Sequence, residues 1–283
     1  MSRIYDALRR MELERRAPGA AEPDPTHPVE FLQGVVPEPA DLRNVRSVEV
    51  DASIDSRLVA LADPQCLGAE KFRALATRLE NLRNQRELKS LQVTSSVANE
   101  GKTLVSTNLA VTFAQNSGSK VLLVEGDLHR PALGSLLGLT ELQGISQWWS
   151  GRDLEIPNYI YRVNQMPLWF LPAGSRCDQP SSILQSARFA EALLRLLGTF
   201  DWIIVDSTPL LPFADANLWS RLLDGMLLVI REGVASVKAL KKGLEAIDNP
   251  SLVGVVLNDA SEIDHPHYNE QYSSLQKQAK GQS

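Results

Sequence analysis

Cysteine is nearly missing from this 283-residue chain, which has two, Cys66 and Cys177. Neither lies in a C-x-x-C or metal-ligand spacing, which removes a disulfide-stapled scaffold and a structural zinc site and points to a reducing compartment. Long apolar runs are also lacking. Val121–Val124 and Met226–Ile230 are of strand length, far short of the roughly 20 residues that a membrane-spanning helix requires. There is no surplus of basic charge, since 29 Lys and Arg face 34 Asp and Glu for a net charge of -5. A chain that coats nucleic acid needs clustered cations, so no nucleic-acid partner is expected. The opening MSRIYDALRRMELERR carries five arginines but no apolar core, which argues against a secretory signal and for a cytoplasmic product. The remaining composition, 43% hydrophobic and 22% charged, excludes collagen-like and wholly disordered classes.

Four zones follow along the chain. Residues 1–17 place Ile4, Leu8 and Met11 at i, i+4, i+7 with the arginines largely on other faces, the pattern of a short amphipathic helix. Residues 18–57 open with Pro18, Pro23, Pro25, Pro28, Pro37 and Pro39 and are acidic, which predicts an extended linker. From Leu58 to about residue 260, apolar strand-like runs alternate with helical patterns: LQVTS, VLLVEGD, LWFLPAG, WIIVDS, MLLVIREG and LVGVVLN. Strands so continuously apolar are buried on both faces, and their alternation with helices implies parallel pairing through crossovers. The expected fold is α/β, a doubly wound and mostly parallel sheet. Residues 261–283 are polar and aperiodic, which predicts a tail.

The chemistry concentrates at strand ends. Between the strand ending near Thr94 and a helix from Lys102 lies Ser95-Ser-Val-Ala98-Asn99-Glu100-Gly101-Lys102-Thr103, a P-loop in which Ser96 stands at the first glycine of GxxxxGK[ST]. Backbone N–H groups of such a loop form an anion-binding nest; Lys102 reaches the outer phosphates and Thr103 offers its hydroxyl to Mg²⁺. A second strand ends in Glu125-Gly-Asp127-Leu-His129-Arg130-Pro131 and a third in Asp206-Ser-Thr-Pro209. Their carboxylates fall where ligands bind in open α/β sheets, and Asp206 has the Walker B position that holds Mg²⁺.

These residues carry a resemblance. The P-loop resembles the S-x-x-P-x-E-G-K-S/T of bacterial tyrosine kinases (BY-kinases), P-loop NTPases of the deviant-Walker type that accompany polysaccharide chain-length regulators. Glu125-Gly-Asp127 with His129-Arg130-Pro131 is similar to that family's Walker A′ region, D-x-D-x-R-x-P, and Asp206-Ser-Thr-Pro209 followed by Asp215-Ala216 is similar to its Walker B. Leu171-Pro-Ala-Gly174, Gly254–Asn258 and the opening MSRIYDALRR extend the likeness. It implies an ATP- and Mg²⁺-dependent tyrosine autokinase of exopolysaccharide or capsule biosynthesis. Ala98, Asn99, Glu100, Gly101, Lys102 and Thr103 would hold the nucleotide, with Asn258 near the adenine. Thr103 and Asp206 would organise the metal; Asp127 would accept the tyrosine proton, with Glu125 assisting or reaching metal through water. Tyr268 and Tyr272 would be the tail's phosphoacceptors, modified in trans. The resemblance also implies a ring-like homo-oligomer, to which Glu70 and Arg73 contribute, and a membrane-embedded polysaccharide co-polymerase whose cytoplasmic end holds the chain at the inner membrane. Two other readings remain open: a nucleotide-binding regulator of such a complex without kinase activity, and a partition or positioning ATPase. Against the latter, its signature lysine would occupy position 97, which is Val97.

Overall fold

The computed structural model describes residues 38–51, 53, 55–116, 118–151, 155–211, 214–245 and 252–260. Eight strands form one sheet: β1 (Arg46–Val48), β2 (Ser90–Ser95), β3 (Val121–Glu125), β4 (Tyr161–Val163), β5 (Leu168–Leu171), β6 (Trp202–Asp206), β7 (Gly225–Arg231) and β8 (Leu252–Asn258). Their spatial order is β1-β4-β5-β3-β6-β2-β7-β8. Every neighbouring pair is parallel except β4 and β5, which are antiparallel. The helices are α1 (Val59–Ala62), α2 (Leu67–Arg83), α3 (Lys102–Asn116), α4 (Leu133–Leu136), α5 (Ile145–Ser150), α6 (Pro180–Leu184), α7 (Ala187–Thr199), α8 (Asp215–Leu222) and α9 (Val237–Glu245).

The continuous apolar runs are explained by the two cores. Along β3, Leu122 and Val124 join the cluster under α5, α7 and α8, whereas Val121 and Leu123 join the cluster under α2 and α3. Ile203 and Val205 alternate with Trp202 and Ile204 in the same way along β6. Side chains alternate across a strand, so a strand covered on both faces favours apolar residues at every position; β2 differs in burying Ser90, Gln92 and Thr94, whose side chains are hydrogen-bonded. Helix α3 is buried from Val105 through Ala114, because it lies between the sheet and α2; Phe113 stacks on Trp202 with ring centroids 4.4 Å apart. Its one buried amide side chain is used: Asn108 accepts from the Ala60 N–H at 3.0 Å and donates to the Arg57 carbonyl at 3.0 Å, fastening α1 to α3.

The doubly wound, mostly parallel sheet expected from the alternation is present. Two strands were not legible. Residues 46–48, assigned from composition to the linker, pair as edge strand β1 with β4, and β4 itself forms a hairpin-like antiparallel step with β5. Both are three residues long, too short for periodicity to register. The helix expected after Pro131 is the single turn α4. The amphipathic segment 1–17, linker residues 18–37 and tail 261–283, with Tyr268 and Tyr272, lie outside the described residues.

Sheet order places the site. From β2 the chain crosses over β6 to reach β3, and from β6 it crosses back over β2 to reach β7. The connections therefore diverge at the β6–β2 pair, and a crevice opens beyond the carboxyl ends of these strands.

Candidate active site

The P-loop begins where β2 ends. Ser95 Oγ donates to the Val97 carbonyl at 2.6 Å. Ser96, at the position of the expected first glycine, donates through Oγ to Glu100 Oε2 at 3.0 Å, and the same carboxylate oxygen accepts from the Val97 N–H at 2.8 Å. Glu100 is fully buried, so it braces the loop from inside rather than facing ligand. Asn99 has φ 66°, a left-handed conformation that Asn tolerates better than most residues. Gly101 has φ +93°, and a Cβ there would collide with the Asn258 side chain; this glycine is obligatory on both counts. Asn258 Nδ2 donates to the Glu100 carbonyl at 2.9 Å, so the last strand holds the loop in place.

Above the loop is a cavity of about 820 Å³, lined among others by Ala98, Asn99, Gly101, Lys102, Thr103, Asp127 and Asn258. Lys102 Nζ lies 3.6 Å from Asp127 Oδ2 and 3.9 Å from Asp206 Oδ1, and its side chain is 14% exposed. Thus three separate strand ends deliver one cation between two carboxylates. Asp127 Oδ1 accepts from the Arg130 N–H at 3.0 Å, which leaves Oδ2 turned toward Lys102. Burial pushes the Asp206 carboxyl up to about 6, against the pull of Lys102 and of a hydrogen bond from Thr103, with Asp127 and Glu125 adding repulsion. Asp206 Oδ1 is buried without a hydrogen-bond partner. A buried carboxylate oxygen left unpaired is costly, and together with the Thr103 hydroxyl it forms an oxygen donor set suited to a hard cation such as Mg²⁺.

Glu125 is placed differently from the expectation that it assists catalysis or reaches a metal. Its Oε1 accepts from the Leu133 and Gly134 N–H groups at 2.7 and 3.1 Å, and its Oε2 from the Ala173 N–H at 3.0 Å. The carboxylate is 3% exposed and serves as a clamp joining α4 to the loop after β5. The longer side chain spans that gap. Between it and Asp127, Gly126 packs its N–H against the Asp206 carbonyl at 2.8 Å and accepts from Trp219 Nε1 at 3.1 Å, setting the spacing of the two acids. His129 pairs with the buried Asp215. Glu70 and Arg73 form an i,i+3 ion pair on α2, and Arg73 Nη1 also donates to the Pro64 carbonyl at 2.7 Å.

The cavity wall includes Arg57, Arg231 and Asp259, which sequence reasoning passed over, and Arg130, to which it gave no role of its own. Arg57 and Arg231 are held by Asp55 and Asp259. Arg57 precedes α1, within the stretch assigned to the linker, where no motif marks it. Arg130 lies inside the Walker A′ run and was open to recognition as an anion-facing cation.

A P-loop at a switch point with a lysine between two carboxylates places the chain among P-loop proteins of the doubly wound α/β class. No family model matches the chain. It is 30% identical over 198 residues to the putative tyrosine-protein kinase CapB of Staphylococcus aureus, a match covering 69% of this chain and 86% of that protein. Tyrosine-protein kinase YwqD of Bacillus subtilis is 29% identical over 213 residues, covering 75% of this chain and 89% of that protein. The solved kinase domain of the Escherichia coli tyrosine kinase ETK matches with a TM-score of 0.69 at 25% identity, covering 82% of this chain and 91% of the domain. The chain belongs to the bacterial tyrosine-protein kinase family.

Proposed function

We propose that this chain is an ATP-dependent tyrosine autokinase that modifies tail tyrosines Tyr268 and Tyr272 in trans and acts in exopolysaccharide or capsule production. The observation that supports it most strongly is the placement of Lys102 within 4 Å of both Asp127 and Asp206 over the P-loop. Phosphoryl transfer consists mainly of positioning and charge stabilisation. Here the backbone N–H groups of residues 98–103 cradle phosphate and Lys102 neutralises charge on the transferring group. Mg²⁺, when bound through Asp206 and Thr103, would supply further charge neutralisation. A tyrosine hydroxyl has a pKa of about 10 and needs a proton acceptor at neutral pH. Asp127 Oδ2 takes that proton as the tyrosine oxygen bonds to the γ phosphorus and the bond to the β-phosphate oxygen breaks. Asn258 lines the same cavity and is assigned to the base-side wall.

Among the described residues no helix is long and apolar enough to cross a membrane. We assign membrane association to a partner, the cytoplasmic end of a polysaccharide co-polymerase, and self-association to a ring-like homo-oligomer. Tyr268 lies ten residues past Asn258, and ten extended residues reach at most about 35 Å, enough to enter a neighbour's site. The test is mass spectrometry after incubation with Mg·ATP, using a Lys102→Met chain with an intact tail mixed with an active chain carrying Tyr268→Phe and Tyr272→Phe. Phosphotyrosine on the Lys102→Met partner is expected. Labelling of wild type without labelling in the mixture would refute transfer between subunits, and no labelling of wild type would refute kinase activity.

A further inference from the structure

We infer that His129 is a positioning residue for the transfer: anchored on Asp215, it fixes the turn that presents Asp127 to the phosphate site. His129 Nε2 lies 2.7 Å from Asp215 Oδ2, and the two side chains are 27% and 3% exposed. Asp215 opens α8, and its Oδ1 accepts from Ser181 Oγ in α6 at 2.8 Å. One buried carboxylate therefore joins the segments that follow β3, β5 and β6 at the ligand edge of the sheet. A buried carboxylate needs its charge compensated: Ser181 donates to Oδ1 from α6, whereas Oδ2 has no hydrogen-bond partner and faces the His129 imidazole at ion-pair distance.

The consequence for Asp127 follows from where the turn is tied. The Arg130 N–H closes the turn on Asp127 Oδ1, a bond four residues long that shapes the turn without locating it. Leu128 is buried, and its carbonyl accepts from the Cys177 N–H at 3.2 Å, which ties the turn to the loop after β5. His129 ties it to the helix that follows β6, and β6 ends in Asp206. The Gly126 N–H bond to the Asp206 carbonyl and the Trp219 bond to the Gly126 carbonyl fix the start of the turn, and the His129–Asp215 contact fixes its far side, so the three together set the relative placement of the two carboxylates that share Lys102. Release of His129 leaves the P-loop contacts of Glu100, Gly101 and Asn258 intact, so nucleotide binding persists while the proton acceptor loses its place.

This inference rests on the assignment of Asp127 as proton acceptor. The test measures phosphotyrosine formation by the full chain at varied Mg·ATP, for His129→Ala, His129→Gln, Asp127→Asn and the double variant His129→Ala/Asp127→Asn. His129→Ala is expected to lower kcat by about 10- to 100-fold, the cost of displacing a reacting group by about 1 Å, with KM for Mg·ATP unchanged. His129→Gln, which keeps a donor for Asp215, should recover part of the rate. In the Asp127→Asn background, loss of His129 should add nothing. Unchanged kcat in His129→Ala, a loss confined to KM, or a full multiplicative loss in the double variant would each overturn the positioning role. If Asp127→Asn slows the reaction and His129→Ala does not, the role of His129 alone is wrong; if Asp127→Asn has no effect, the proton-acceptor assignment fails and this inference with it.

Discussion

Replacing Asp206 by Asn should stabilise the nucleotide-free domain while abolishing its activity. Burial raises the Asp206 carboxyl from 3.8 to about 6, so the folded chain holds the ionised form at a cost that the unfolded chain does not bear. The sign follows from linkage: a raised acid contributes its stability below the unfolded value and loses it as pH climbs through the folded value. At about 1.36 kcal/mol per unit, the ionised group costs about 3 kcal/mol at pH 7 and only a small fraction of that near about pH 4. Asn copies the neutral carboxyl in shape and carries no charge to desolvate. Urea unfolding without nucleotide should therefore show Asp206→Asn more stable than wild type by about 3 kcal/mol at pH 7, with the gap closing toward pH 4. In a domain of this size that is a rise in Tm of roughly 6–12 °C. On the metal role proposed for Asp206, the same variant should lose Mg·ATP turnover, because Oδ1, which lacks a hydrogen-bond partner, would be the oxygen offered to the cation. A variant less stable than wild type at pH 7, or a gap independent of pH, would refute the view that Asp206 is held ionised at the expense of folding.

Other expectations follow from the same geometry. Lys102→Met should abolish turnover without unfolding the chain, since its partners are two carboxylates at the cavity and not the core; normal turnover by steady-state assay would remove the phosphate-site assignment. Glu125→Asp should destabilise the domain by about 1–3 kcal/mol, because the shorter side chain cannot reach the amides of both α4 and residue 173; denaturant titration checks this, and unchanged stability contradicts the clamp. Gly101→Ala should eliminate nucleotide binding measured by calorimetry, since its Cβ strikes the Asn258 amide that holds the loop. If Asp206 holds the metal as proposed, binding of Mg·ATP should weaken as pH falls through about 6, because protonation would remove that ligand's charge; a flat affinity between about pH 5 and 7, values that bracket this range, would contradict it.

The P-loop residues, the apolar strands and the strand-end acids were legible in the amino-acid order because each depends on local pattern. A phosphate nest needs glycine and lysine at fixed spacing after a strand, and a doubly covered strand needs an unbroken apolar run. The parallel sheet and the family resemblance came from those features. Edge strands β1 and β4 were not legible, since three residues carry no period and their stability derives from pairing with each other and with β5. Nor was the division of labour between Glu125 and Asp127. Two carboxylates separated by one glycine read alike in sequence and would share a face if the strand continued, but β3 ends at Glu125 and the chain turns at Asp127, which parts the two side chains. One finds the backbone amides of residues 133, 134 and 173; the other finds Lys102. The joining of His129 to Asp215, 86 positions apart by number (215 − 129), was likewise decided by the adjacency of β3 and β6. Local order determines which groups the chain possesses at its strand ends, and strand order in the tertiary fold decides which of them meet.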